Sequence, residues 1–251
     1  MNTEPTHSDT YLRGTYWCDI DHPAIRELAL ELTRTARTSR EAAVALFYWV
    51  RDHIIYTMGE WNQRASETIA MGTGTCSNKA NVLVALARSI GIPAAFHVQY
   101  VATDAYFAGA YIPMIKKLTR DVAIHVYATL FVDGRWVRCD PTDDRTLCES
   151  ICAIVPHAQT LEWDGVNDAV IPFAEGSIKS DTGPVFDIDA QLSSGTRLSP
   201  AIKRVFARYV AYMRDQGKRY VVDSDIGRAH IEDDFRRYLC AVDGAAMAAA
   251  G

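Results

Sequence analysis

The 251-residue sequence is poor in the features that mark several large functional classes. No stretch approaches the roughly 20 consecutive apolar residues that a membrane helix needs, since the longest apolar run is residues 42–50. Residues 1–10 lack both a basic start and an apolar core, so no signal peptide is expected there and the expected location is cytoplasmic. Positive charge is also scarce: 26 Lys and Arg face 31 Asp and Glu, a net charge of -5, with no polybasic block. That balance argues against a nucleic-acid surface, which needs clustered cations. No glycine fingerprint lies between a strand and a helix, which argues against a nucleotide fold. Six cysteines do not form a metal-ligand pattern, because Cys148 and Cys152 have no second close pair. The histidines His7, His22, His53, His97, His157 and His230 likewise show no ligand spacing. No metal, cofactor or disulfide framework is expected, and no repeat is visible.

What is present is nearly half apolar, enough for a real core. Asp21, His22 and Pro23 start a helix to about residue 35, with Ile25, Leu28, Ala29 and Leu32 as its stripe. Thr38 and Glu41 suggest a capping box opening a second helix to about residue 56. Residues 58–75 read as a segment of polar and small residues. A third helix follows over 76–90, and then an extended stretch over 94–101. Residues 102–120 read as a loop with a short helix. Residues 122–131 and 135–139 form a hairpin turning at Asp133 and Gly134. Residues 141–200 read as short elements and long loops, followed by two helices. The expectation is an α+β fold with an arm (1–20), a core (21–150) and a helical C-terminal extension (151–251) packed on it.

Cys76 is the first candidate for chemistry. With Thr75 as the cap it falls in the first helical turn, where unpaired amides and the helix dipole favour a thiolate and can receive an oxyanion. Gly72 and Gly74 would let the backbone approach a substrate. The competing reading is a small buried hydrophobe. His125 sits within a strand, and Asp140 ends the next one. Counting back from the hairpin turn brings the two close, so the carboxylate can orient the imidazole toward the thiol. Asp143 and Asp144 are alternatives for that carboxylate. Lys79 reads as a partly exposed helix residue.

The run from Gly72 to Ala80, continuing through Ile90-Gly91-Ile92-Pro93-Ala94, resembles the nucleophile segment of the transglutaminase-like superfamily. His125-Val126-Tyr127-Ala128 and the run from Asp133 to Thr142 resemble its histidine and aspartate segments, and residues 45–56 resemble the helix before that core. The resemblance covers about half the chain. It implies a papain-like core, a nucleophile helix on an antiparallel sheet, with Cys76 as nucleophile, His125 as base and acid, and Asp140 as orienter. Ser77 and the Val126-Tyr127 order depart from the common pattern, and each bears on the cleft.

Around that triad, Trp61, Asn62 and Gln63 are candidate oxyanion or cleft residues. Tyr106, Phe107 and Tyr111 are candidates for holding a bulky acyl or peptide substrate, and Lys116 and Lys117 for meeting an anionic acyl carrier protein. The alternative is an amphipathic surface helix. The expected activity is cysteine-dependent acyl transfer, or cleavage of an amide or thioester, through an acyl-thioester. Its alternatives are a cyclase or acyltransferase of specialised metabolite assembly and, in a different class, a non-catalytic scaffold.

Overall fold

The computed structural model describes residues 7–109, 111–155, 158–194, 198–216 and 225–249. After a short helix α1 (His7–Thr10), the expected helices form where sequence periodicity puts them. α2 (Pro23–Thr33) starts at His22, whose Nδ1 accepts from the Ala24 amide at 3.2 Å. α3 (Ser39–His53) starts at Thr38, whose hydroxyl accepts from the Glu41 amide at 3.1 Å. The Glu41 carboxylate reaches one residue further back than a capping box requires and accepts from the Arg37 amide.

The segment expected to be a polar stretch contains a helix, α4 (Ala65–Met71), between two short parallel strands, β1 (Ile55–Tyr56) and β2 (Thr73–Gly74). Gly72 ends α4 in the left-handed region at φ 65°. The role expected of Gly74 needs correcting. A Cβ there would stand 2.8 Å from Asn78 Cβ and 3.1 Å from Thr68, so its smallness serves helix packing.

α5 (Cys76–Ser89) is buried along nearly its whole length and lies against a four-stranded antiparallel sheet. The sheet order is β5-β4-β3-β6, from β3 (Ala94–Ala102), β4 (Val122–Val132), β5 (Arg135–Cys139) and β6 (Ile178–Val185). Asp133 and Gly134 turn the β4–β5 hairpin with φ of 50° and 79°, as a two-residue turn requires. A 3-10 turn (Thr103–Gly109) and a short helix α6 (Pro113–Lys116) join β3 to β4. The 141–200 region is more regular than expected. It holds α7 (Arg145–Ile154), the edge strand β6 and α8 (Asp189–Ser194). Two long helices close the chain, α9 (Pro200–Gln216) and α10 (Asp225–Ala249). No helix among the described residues is long and apolar enough to cross a membrane.

Two apolar clusters result. The first fills the space between α2, α3, α5 and the sheet, with Leu46, Phe47, Leu83, Phe96 and Leu130 at its centre. The second joins α7, α9 and α10 through Ile151, Phe206, Tyr209 and Phe235, and it includes Tyr56, Cys76 and Tyr111. Arg214 on α9 ties the second cluster together: its guanidinium donates to Asp144 Oδ2 at 2.6 Å and to the Tyr56 carbonyl at 2.9 Å. Asp144 in turn caps α7 and accepts from the Tyr56 amide. The first residues are also tied down. Asn81 donates to the Trp17 carbonyl, and Arg88 to the Arg13 carbonyl.

Candidate active site

Thr75 and Asn78 exchange bonds at the start of α5. Asn78 Oδ1 accepts from the Thr75 amide at 3.0 Å, while Thr75 stands as N-cap toward the Asn78 amide. Asn78 Nδ2 also donates to the Trp61 carbonyl at 3.0 Å, which fixes the chain entering the helix. Cys76 therefore occupies the first turn, 9% exposed, with its amide among those the helix cannot pair internally.

His125 and Asp140 have fully buried side chains, and His125 Nε2 donates to Asp140 Oδ2 at 2.6 Å. The ladder produces this approach. Ala128 pairs with Cys139, so Asp140 leaves β5 one step beyond the last rung, near His125 on β4. Asp140 Oδ1 accepts from the Thr142 amide at 3.1 Å, and the Asp140 amide donates to the Ala169 carbonyl at 2.9 Å. Two rings close on the imidazole, Tyr106 at 6.2 Å and Phe173 at 5.3 Å between centroids.

The electrostatics follow from this packing. Burial disfavours a charged His125, but the Asp140 carboxylate and the Cys76 sulfur overturn that and raise the imidazole to about 10. Burial likewise disfavours a Cys76 thiolate, yet His125 and a backbone hydrogen bond at Val126 hold the thiol below its ordinary value. Asp140, despite burial, stays below the usual carboxylate range because His125 and Thr142 stabilise its charge. Since Nε2 is committed to Asp140, Nδ1 is the nitrogen free to serve the sulfur. It has no hydrogen-bond partner among the described residues.

The other sequence candidates separate. Tyr106 stands against His125, and Tyr111 is buried in the second cluster with Cys76. Phe107 lies on the same 3-10 turn as Tyr106, and its side chain is outside the described residues. Trp61 is half-buried and holds Asn78 through its carbonyl. Asn62 is exposed, and Gln63 Oε1 accepts from Thr68; no described hydrogen bond links either to Cys76 or His125. Lys116 and Lys117 are exposed, and Lys116 pairs with Asp104 at 2.9 Å.

Lys79 corrects the expectation of partial exposure. It is fully buried, donates to the Arg51 and Ile54 carbonyls at the end of α3, and burial brings its ammonium down to about 8. Asp144 turns away from His125 to Arg214. His97 pairs with Asp181 on the sheet, and His157 lies outside the described residues. Sequence reasoning missed Phe173, which lies far from the motifs, and Tyr56, which ends the 45–56 run and reads in the sequence only as the close of a helix. A stripe of Leu147, Ile151 and Ile154 behind the Asp144 cap was the available signal for α7.

Residues 26–141 match the profile of the Transglutaminase-like superfamily. No curated protein matches the chain. Two solved structures align with part of it. One is described as a candidate cysteine protease from Cytophaga hutchinsonii, at 19% identity and TM-score 0.44 over 55% of this chain and 43% of that one. The other is described as a candidate protease from Parabacteroides distasonis, at 14% identity and TM-score 0.36 over 56% of this chain and 28% of that one. This chain thus spans less than half the length of each.

Proposed function

Because the chain belongs, through residues 26–141, to the transglutaminase-like superfamily, we propose that it is a cysteine-dependent acyl-transfer or amide- and thioester-cleaving enzyme with Cys76, His125 and Asp140 as its triad. The observation that carries this reading is the buried 2.6 Å His125–Asp140 pair, beside a helix-start cysteine whose thiol is held below its ordinary value. A buried histidine-carboxylate pair alone is a structural feature. Next to an activated thiol, it supplies the base, the acid and the orienting anion that acyl transfer needs.

In this mechanism Cys76 rests as a thiolate beside a His125 imidazolium, with the proton on Nδ1 and the imidazolium stabilised by Asp140 through Nε2. The thiolate attacks the acyl carbon and forms a carbon–sulfur bond. The Cys76 amide at the start of α5 receives the oxyanion. Collapse breaks the bond to the leaving amine or thiol, which takes the proton from Nδ1 and leaves an acyl-thioester on Cys76. Water or an amine then gives a proton to His125, attacks the same carbon and releases the sulfur. A peptide, amide or acyl-thioester donor suits this scheme. Docking of an acyl carrier protein through Lys116 and Lys117 draws little support, because Lys116 is engaged by Asp104.

Intact-protein mass analysis after exposure to peptide amides and simple thioesters tests the reading. A mass increment on wild type that is absent from Cys76→Ala is expected. A folded C76A protein that still turns these donors over would sink it.

A further inference from the structure

A cleft opens beside His125. Its walls are apolar, from Tyr56, Ile151, Leu161, Ile171 and Phe173. Five oxygen-bearing side chains also line it: Tyr106, Thr142 and Asp143, together with Tyr56, whose hydroxyl donates to Met58 Sδ at 3.2 Å, and the exposed Gln159. The Tyr106 and Thr142 hydroxyls are buried with no hydrogen-bond partner among the described residues. The Asp143 carboxyl has no hydrogen bond or ion pair among the described residues either, whereas its own carbonyl accepts from Cys148 Sγ at 3.5 Å. Its sequence neighbours differ. Asp140 is bound by His125 and Thr142, and Asp144 by Arg214, Leu147 and Tyr56.

Two buried hydroxyls without a partner, beside the half-buried Asp143 carboxyl, call for donors, since a buried polar group left unpaired is costly. The surrounding charge says of what kind. Setting aside Cys76 and His125, which share one proton as a pair, Asp140, Asp143 and Asp144 are opposed by Lys79 and Arg214, which leaves one anion in excess. Lys79 cannot turn into the cleft without abandoning the Arg51 and Ile54 carbonyls. Burial and the nearby Asp140 charge push Asp143 up to about 7, as expected of a carboxylate short of a cation.

Resting on the acyl-transfer reading above, we propose that this cleft is the acyl-group subsite and that Asp143 selects donors whose acyl chain ends in a primary ammonium. The ammonium has three N–H donors and the cleft offers three acceptors: the Asp143 carboxylate and the Tyr106 and Thr142 hydroxyls. In this arrangement the apolar walls hold the methylene chain, and His125, the one triad member in the lining, connects the cleft to the reacting centre. An acyl chain ending in a methyl group would leave all three oxygens unpaired. One ending in a hydroxyl would pair one or two and leave the charge excess.

Two measurements test this, and they fail independently. The first needs no chemistry: calorimetric titration of the C76A protein with hexylamine and with 1-hexanol. Hexylamine is expected to bind at least tenfold tighter, and the advantage is expected to vanish in C76A with the isosteric Asp143→Asn, with Tyr106→Phe reducing it less. Equal binding of amine and alcohol, or an advantage that survives D143N, overturns the proposal.

The second compares acylation of wild type by the ε-aminocaproyl and heptanoyl thioesters of N-acetylcysteamine. A preference of at least tenfold in kcat/KM for the amine-bearing donor is expected, and in D143N the ratio of the two donors is expected to fall to near one. Equal rates in wild type overturn the subsite. Asp143-dependent amine binding without any acyl-enzyme would instead break the acyl-transfer reading and support the subsite.

Discussion

The packing around α5 and the packing of the C-terminal helices meet at Cys76 but are assembled in different ways. α5 is surrounded by α2, α3 and the sheet, formed largely from strongly patterned sequence before residue 140, with the edge strand β6 and Trp163 and Leu192 added from the second half. The second cluster draws Tyr56, Cys76 and Tyr111 from the first half of the chain and packs them against α7, α9 and α10 from the second. His125 lies on the sheet and Asp140 just past its β5 edge, whereas the Cys76 thiol is buried with the C-terminal helices. The proposed chemistry therefore lies at a seam. The sheet side supplies acid, base and orientation; the helical side supplies the cover and much of the cleft wall. Each prediction below perturbs one side and asks whether the other responds.

The largest effect is expected at the seam itself. Replacing Cys76 by Ala removes the proposed nucleophile and should lower turnover by roughly 10⁴-fold or more, to the level of the untreated substrate. Both clusters should survive, because a sulfur-sized loss at a 9%-exposed position is small beside the packing around it. Thermal unfolding and turnover of the same protein check this. An unfolded C76A would mean that the thiol serves packing as well as chemistry.

Next comes the sheet side. Asp140→Asn keeps the shape but not the charge that holds His125 at about 10, so acylation should fall by roughly 10²–10⁴-fold. The pH profile shows the same change. In wild type the rate should rise as the Cys76 thiol ionises, below its ordinary value. It should fall again toward pH 10 as His125 loses the proton needed by the leaving group. With D140N the alkaline limb should move to lower pH, since the group that raises the imidazole has gone. An unmoved alkaline limb in D140N would remove Asp140 from its orienting role.

These predictions rest on features that the sequence displays unevenly. The sheet side was legible because its signals are local: Thr38 and Thr75 at helix starts, Asp133 and Gly134 at a turn, and alternation along β4. The approach of His125 to Asp140 followed from counting along one hairpin. α4 was hidden because its residues are small and polar and its cap is Arg64, whose amide donates to Glu67. β6 was hidden because nearly every residue is exposed and Gly183 and Pro184 interrupt it, as an edge strand tolerates. Asp143 is visible in the sequence as a neighbour of Asp140, but Phe173 acquires meaning only when the chain folds back across His125, and no spacing along the sequence encodes that return.

The helical side should respond to Arg214→Met. Removing the guanidinium leaves Asp144 almost fully buried with no cation, and frees the Tyr56 carbonyl. A loss of roughly 2–3 kcal/mol is expected, moderated because the Arg214 side chain is still 16% exposed. Denaturant unfolding measures it. The double variant with Asp144→Asn should lose less than the two single losses combined, because it no longer strands a buried charge. If the comparison of the two sides is sound, R214M also lowers turnover, because Tyr56 walls the cleft beside His125. Unchanged turnover in a destabilised R214M would make the C-terminal helices a support with no part in the site.

The smallest effect is expected where the sequence offered a candidate that the fold leaves at the surface. Asn62 is exposed, precedes α4 and makes no described hydrogen bond to Cys76 or His125. Asn62→Ala should therefore change stability by no more than about 0.5 kcal/mol and leave kcat/KM near wild type. The contrast is with a true oxyanion donor, whose loss costs roughly 10²–10³-fold in turnover. Measuring N62A beside Gln63→Ala decides whether the Cys76 amide works alone. A hundredfold loss in either would mean that the loop before α4 swings over the bound acyl group. It would also place a second donor on the sheet side of the seam, facing the cleft that the C-terminal half closes.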